Sequence, residues 1–176
     1  MKRNLLISII LIVLVVIGRL IPHVWNFTPV VAVTLLAGAV LPRWWAVGVP
    51  VVAMFISDLI IGFYHMPIML TVYGSFAFVA LLGYWLKNFS PHRIVMGSLA
   101  SSTFFFLTTN FAVWAASTWY PKTVDGLLLS YSLGLPFFRN MMIGDLFFSG
   151  VVFGLWVLLR RPVIIKAKLL LNKNSS

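Results

Sequence analysis

The sequence contains no cysteine and no glutamate, and its only acidic residues are Asp58, Asp125 and Asp145. The absence of cysteine excludes disulfides, thiolate metal sites and cysteine nucleophiles. Charged residues make up 9% of the 176 residues, whereas a soluble domain carries about 25%. This shortage of charge excludes an ordinary soluble domain.

Motifs of the common enzyme classes are also absent. The chain has no H-E-x-x-H, no G-x-S-x-G, no glycine-rich phosphate loop and no pair of carboxylates spaced for acid and base work. We therefore predict a protein that is not an enzyme, with no catalytic residue, no metal site and no cofactor. His23 and His65 could be ligand contacts or metal ligands, although histidines at such positions are more often interfacial.

Hydrophobic residues are abundant, at 61% of the chain, and the mean hydropathy is +1.04. A membrane span needs about 20 apolar residues, so one compact domain of this length has room for five to seven spans. We predict an all-α membrane protein, a compact bundle of six transmembrane helices. The predicted helices are approximately 4–21, 28–41, 44–62, 68–86, 94–117 and 137–159, followed by a basic cytoplasmic tail, 160–176. The second is short for a full span, and a G-x-x-x-G step at Gly150 and Gly154 in the last predicts close helix packing.

The basic residues indicate the orientation of the bundle. Thirteen Lys and Arg give a net charge of +10, and short cytoplasmic loops retain such residues. With both termini in the cytoplasm, all but Arg19, Lys122 and Arg139 lie on the inner side. The high positive charge is therefore explained by the orientation of the chain in the lipid bilayer, and no nucleic-acid partner is needed to account for it. It places loops 1–2 and 5–6 outside, the latter from Thr118 to Pro136.

Polar and aromatic side chains concentrate near the predicted outer face. The stretch from Arg19 to Pro29 interrupts the first two apolar runs, and Asn110 and Trp114 lie four residues apart on one helical face. Aromatic walls with a few polar groups are typical of a small-molecule pocket. The predicted ligand-binding residues are Arg19, His23, Asn26, Asp58, Asn110, Trp114, Tyr120, Arg139, Asn140 and Asp145.

The same residues admit other interpretations. Arg19 could pair with Asp58, and Arg139 with Asp145 or Asp58, because charges within a membrane usually pair or face a polar cavity. The outer cluster would then only lock helices together, as in a structural or assembly protein. A proton-coupled carrier using the two aspartates is a further alternative.

Several segments resemble a family of uncharacterised bacterial six-helix membrane proteins, a family of the domain-of-unknown-function type. The resemblance rests on R-L-I-P-H-x-x-N-F-T-P at 19–29, S-D-L-I at 57–60, T-N-F-A-V-W at 109–114, W-Y-P at 119–121 and L-P-F-F-R-N-x-x-x-G-D at 135–145. More distantly, the layout is similar to the substrate-binding S components of energy-coupling factor vitamin transporters, including the compact cobalamin-type ones.

The second resemblance implies a vitamin-binding subunit of an uptake transporter in the bacterial inner membrane. It further implies a transmembrane coupling protein and cytoplasmic ATPases as partners, and loops 1–2 and 5–6 as lids. The chain departs from that pattern because its first helix has no clear A-x-x-x-A coupling motif, and because no cysteine is available to ligate a corrinoid cobalt.

Overall fold

The fold is entirely helical. The computed structural model describes residues 1–22 and 24–173, with side chains described for 1–22 and 24–160. Helices account for 84% of the structure, with no strand in the described residues. The elements are α1 Lys2–Leu20, α2 Val30–Val40, α3 Arg43–Ile61, α4 Met66–Leu82 with a 3₁₀ turn Gly83–Leu86, α5 Pro91–Ala116 and α6 Val124–Lys173.

Five of these helices are long and apolar enough to cross a membrane; the exception is α2. Their outer faces carry exposed large apolar side chains, including Leu6 and Ile10 on α1, Ile60 on α3 and Leu155 on α6. Monomeric soluble proteins rarely expose contiguous apolar surface on this scale. The all-helical, membrane-spanning character predicted from composition is therefore confirmed.

Helix α2 is the centre of the bundle, and every residue from Val30 to Ala39 is buried. It contacts each of the other five α-helices. Its sequence explains this position, because a helix that is apolar all round is buried. With 11 residues at about 1.5 Å per residue, it spans about half of a bilayer core. The predicted helix 28–41 is thus shorter in the structure and does not span fully.

Helix α2 packs closely against the end of α4 through two glycines. A β-carbon on Gly38 would overlap the carbonyl oxygen of Ala80 and lie 2.8 Å from the Cα of Gly83. A β-carbon on Gly83 would likewise overlap the carbonyl oxygen of Leu35. Because these two glycines have no side chains, the backbone of α2 contacts the backbone at the end of α4 directly.

The last helix differs most from the sequence prediction. A loop from Thr118 to Pro136 and a helix starting near Phe137 were expected, but α6 begins at Val124 and runs through Pro136. Membrane helices tolerate proline where neighbours satisfy the freed backbone groups. The exposed side chains of Leu128, Leu129 and Leu133 make the outer surface of this first part of α6 apolar. The expected long outer lid is reduced to a short connection after Ser117.

The bundle has two distinct ends. Leu5 and Ser8 near the start of α1 line one groove with Trp44 and Trp45 near the start of α3, so these helices start at the same end. We call it the basic end, because Lys2, Arg3, Arg43, Lys87, Arg93 and Arg160 lie on its segments. The side chains of the predicted basic tail beyond Arg160 lie outside the described residues.

Candidate functional site

A cavity of about 370 Å³ lies above the start of α2, in the half of the bundle that this short helix leaves empty. All six α-helices contribute side chains to it. Its polar lining is Arg19, Asn26, Thr28, Tyr64 and Asp145. Its apolar lining includes Val31, Met54, Ile61, Phe76, Phe105 and Met141. We call it the central cavity.

An ion pair lies beside the central cavity; of its two residues Arg19 lines the cavity, whereas Asp58, a predicted ligand contact, does not. The guanidinium Nη1 of Arg19 donates to Oδ1 of Asp58 at 2.8 Å and also to the hydroxyl of Ser57. The hydroxyl of Tyr73 donates to Oδ2 of Asp58 at 2.7 Å, so both carboxylate oxygens have partners. The side chain of Asp58 is 1% exposed and that of Arg19 is 17% exposed. This network ties α1, α3 and α4 together, as one of the structural interpretations predicted.

Asp145 forms another part of the lining and has no ion-pair partner within the described residues. Its Oδ2 accepts a 2.6 Å hydrogen bond from the hydroxyl of Ser102 on α5, and the residue is 1% exposed. Within the described residues no protein group donates to its Oδ1. An acid at this depth is costly unless it is paired or faces a polar cavity, so Asp145 is a candidate ligand contact.

The segment 24–29 packs against α6 beside the cavity. Phe27 packs against Gly144, where an added β-carbon would lie 3.0 Å from its ring, and it contacts the rings of Phe147 and Phe148. Asn26 adopts a φ of 61°, a left-handed turn conformation that asparagine tolerates. The turn thereby brings the side chains of Asn26 and Thr28 to the cavity. His23, a predicted contact in this turn, lies outside the described residues.

Tyr64 stands in the connection between α3 and α4 and also reaches the cavity. Partial burial, followed by the nearby Asp58 carboxylate, raises the pKa of Tyr64 to about 12, against the opposing effect of Arg19. The phenol therefore keeps its proton at physiological pH and can donate a hydrogen bond to a ligand.

Two predicted wall residues on α5 lie elsewhere. The side-chain amide of Asn110 donates to the carbonyl of Phe106, and its backbone carbonyl accepts from Ser130 on α6. The indole of Trp114 donates to the carbonyl of Pro121 in the connection after α5. Neither lines the central cavity. Their four-residue spacing correctly predicted that the two side chains share one face of α5. That face packs against α6 and the connection that precedes it.

Three further predicted contacts are likewise absent from the lining. They are Tyr120, Arg139 and Asn140. Arg139 is exposed, and the ion pair of Arg19 with Asp58 is the only one among residues 1–22 and 24–160. The alternative pairing of Arg139 with Asp145 or Asp58 was therefore wrong.

The prediction missed Tyr73, Ser102 and the aromatic pair Phe76 and Phe105, whose ring centroids lie 4.8 Å apart. Tyr73 and Ser102 bind the two buried acids. A signal was available for Ser102, because Ser98, Ser101 and Ser102 interrupt an apolar helix. No comparable signal marks Phe76 among the 15 phenylalanines.

The long apolar helices and the polar cavity between them define a multi-pass membrane protein with an internal pocket. A family model matches residues 1–168, and the chain belongs to this family, DUF6580, a family of unknown function. The predicted membership of an uncharacterised family is confirmed. No curated protein and no solved structure matches the chain.

Proposed function

We propose that this protein is the membrane-embedded, small-molecule-binding subunit of an uptake transporter, comparable to the S components of energy-coupling factor systems. The central cavity carries this proposal, because all six helices line it and polar groups meet there against aromatic walls. A purely structural ion pair needs only Arg19 and Asp58. It does not require an adjoining cavity with a second buried acid.

The size of the cavity suggests the size of the ligand. Binding pockets for drug-sized molecules measure about 300 to 1,000 Å³, and the central cavity measures about 370 Å³. We therefore propose a small, vitamin-like ligand. Cobalamin, which the resemblance suggested, combines a corrin ring with a nucleotide tail and is much larger than such a cavity accommodates.

The lining suggests which groups the ligand carries. Oδ1 of Asp145 has no donor among the described residues, so it suits an N–H or ammonium group of the ligand. Arg19 uses only Nη1 in its hydrogen bonds within those residues, which leaves its other N–H groups for an acceptor. Phe76 and Phe105 offer apolar faces beside these groups. A flat heterocycle with both donors and acceptors fits this arrangement.

Thermal melting in detergent with a vitamin panel tests the proposal. We expect one compound to stabilise the native protein, by about 2.7 kcal/mol at a concentration 100 times its Kd. Asp145→Asn should remove that stabilisation, because the amide presents a donor where the carboxylate accepts. The matched control is Asp125→Asn, since Asp125 is exposed in the first turn of α6, and it should respond as the native protein does.

Two results would contradict the proposal. One is the absence of any stabilising compound together with native mass spectra, from protein purified out of its own host, that show no retained small molecule. The other is equal ligand response in the Asp145 and Asp125 variants. The first would favour the structural or assembly role, and the second would move the binding site away from the central cavity.

We further propose that the chain lies in the bacterial inner membrane with both termini in the cytoplasm and that a transmembrane coupling protein and cytoplasmic ATPases are its partners. The support is the clustering of Lys and Arg at the basic end.

Cysteine labelling tests this orientation. Because the chain has no cysteine, a single introduced cysteine shows on which side of the membrane it lies, without background labelling. A membrane-impermeant maleimide should label Thr118→Cys in intact cells and Asn88→Cys only after permeabilisation. The reverse pattern would overturn this orientation.

A further inference from the structure

A second hollow lies at the basic end, between the start of α5 and the second half of α6. It measures about 470 Å³ and is lined mainly by apolar residues, among them Phe89, Ile94, Phe153 and Val157. Gly150 and Gly154 also line it, and a β-carbon on either would meet no atom of the described residues within 4 Å. The G-x-x-x-G step therefore packs against no described helix of this chain. We call this hollow the α5–α6 groove.

Three basic residues at the basic end are close in sequence to residues that line the groove. Arg160 follows Val157 by three residues on α6, and its guanidinium carbon lies 4.6 Å from the ring centroid of Trp156. Arg93 follows the lining residue Pro91 in the first turn of α5, and Lys87 precedes the lining residue Phe89. None of these cations is in an ion pair within the described residues.

Aromatic rings hold the other two cations in place. The guanidinium carbon of Arg93 lies 5.6 Å from the ring centroid of Trp85, and the ammonium of Lys87 lies 3.6 Å from that of Tyr84. Such contacts orient a cation without neutralising its charge. No acidic residue is in the described lining of the groove, and Asp58 and Asp145 are buried in the network and cavity described above. The groove end therefore has a net positive charge, which an anion would complement.

We propose that the α5–α6 groove binds one anionic phospholipid, with an acyl chain along Gly150 and Gly154 and the phosphate near Arg160, Arg93 and Lys87. Basic pockets between membrane helices bind anionic head groups in this way. Because the two glycines have no side chains, they leave room for the acyl chain. This inference is independent of the ligand in the central cavity.

The charges favour a lipid over a second copy of the protein. Two copies packed through Gly150 and Gly154 in the same membrane orientation would bring the two Arg160 side chains to the same level. Like charges at such a contact repel each other. An anionic lipid instead neutralises the cations and fills the apolar groove.

Native mass spectrometry of delipidated protein tests this inference. The probes are phosphatidylglycerol and phosphatidylethanolamine with identical acyl chains. We expect the native protein to bind the anionic lipid on the order of tenfold more tightly, given two or three cations near the head group. Arg93→Gln combined with Arg160→Gln should remove most of this preference. Arg139→Gln, which removes an exposed charge elsewhere on α6, should keep it.

The apolar part of the groove needs its own variant. Gly150→Leu combined with Gly154→Leu fills the groove, and leucine has a higher helix propensity than glycine, so the fold is expected to persist. Binding of both lipids should fall. The control is Ala115→Leu in the groove between α4 and α5, whose described lining contains no basic residue, and it should leave binding unchanged.

Three outcomes would overturn the inference. The first is equal binding of the two lipids by the native protein. The second is an equal loss of preference in the Arg139 variant, which would indicate net charge alone. The third is a dimer that dissociates in the glycine variant while lipid binding persists, which would identify the groove as a contact between two copies.

Discussion

Replacing Asp58 with asparagine is expected to destabilise the bundle by about 3 kcal/mol, the lower end of the range for breaking a buried ion pair. The variant leaves the guanidinium of Arg19 without a counter-charge while that side chain is only 17% exposed. It also weakens the acceptor for the hydroxyl of Tyr73. Thermal melting in detergent, followed by circular dichroism, measures the loss.

Two companion variants identify the cause. Asp125→Asn removes the same charge at an exposed position and should melt within about 0.5 kcal/mol of the native protein, as surface substitutions do. Arg19→Met combined with Asp58→Leu should recover much of the stability, because apolar residues can replace a buried pair. If the double variant is no more stable than Asp58→Asn, the pair does not act as a unit.

The double variant also separates the two roles of Arg19. Restored melting with lost ligand stabilisation would show that Arg19 serves the central cavity as well as the ion pair. Restored melting with intact ligand stabilisation would limit Arg19 to its structural bond with Asp58, and Asp145 would then carry the polar recognition.

The second large effect is expected at Gly38, where alanine should destabilise the bundle by about 3 kcal/mol, the upper end for overpacking. The new β-carbon would overlap the carbonyl oxygen of Ala80 and approach the Cα of Gly83. Both are backbone atoms and cannot rotate away, so α2 and α4 must separate. The measurement is again melting in detergent, with size-exclusion chromatography as a check of the folded fraction.

The matched control is Gly48→Ala on α3. No atom of the described part of the chain lies within 4 Å of a β-carbon at that position, and alanine favours a helix by about 1 kcal/mol over glycine. The control should therefore melt at or above the native temperature. Equal destabilisation by the two variants would show that the contact between α2 and α4 is looser than described.

Some parts of the site followed from composition and local pattern. Arg19, Asn26 and Asp145 were predicted as ligand contacts and line the cavity, and the pairing of Arg19 with Asp58 was one predicted alternative. Charged and amide groups are so scarce in this chain that their positions alone restrict the possible sites. Asn110, although equally polar, bonds within the contact between α5 and α6, which its spacing from Trp114 did not reveal.

The sequence by itself determined that the chain is helical and spans a membrane, because long apolar runs in lipid must satisfy every backbone hydrogen bond internally. Only the tertiary structure decided that α2 is central, that α6 continues through Pro136, and which side chains face the cavity. The physical reason is that lipid is as apolar as a buried helix contact. A face of Val and Leu therefore does not indicate whether it meets lipid or protein. Close backbone contacts, such as that between Gly38 and Gly83, determine which faces meet protein.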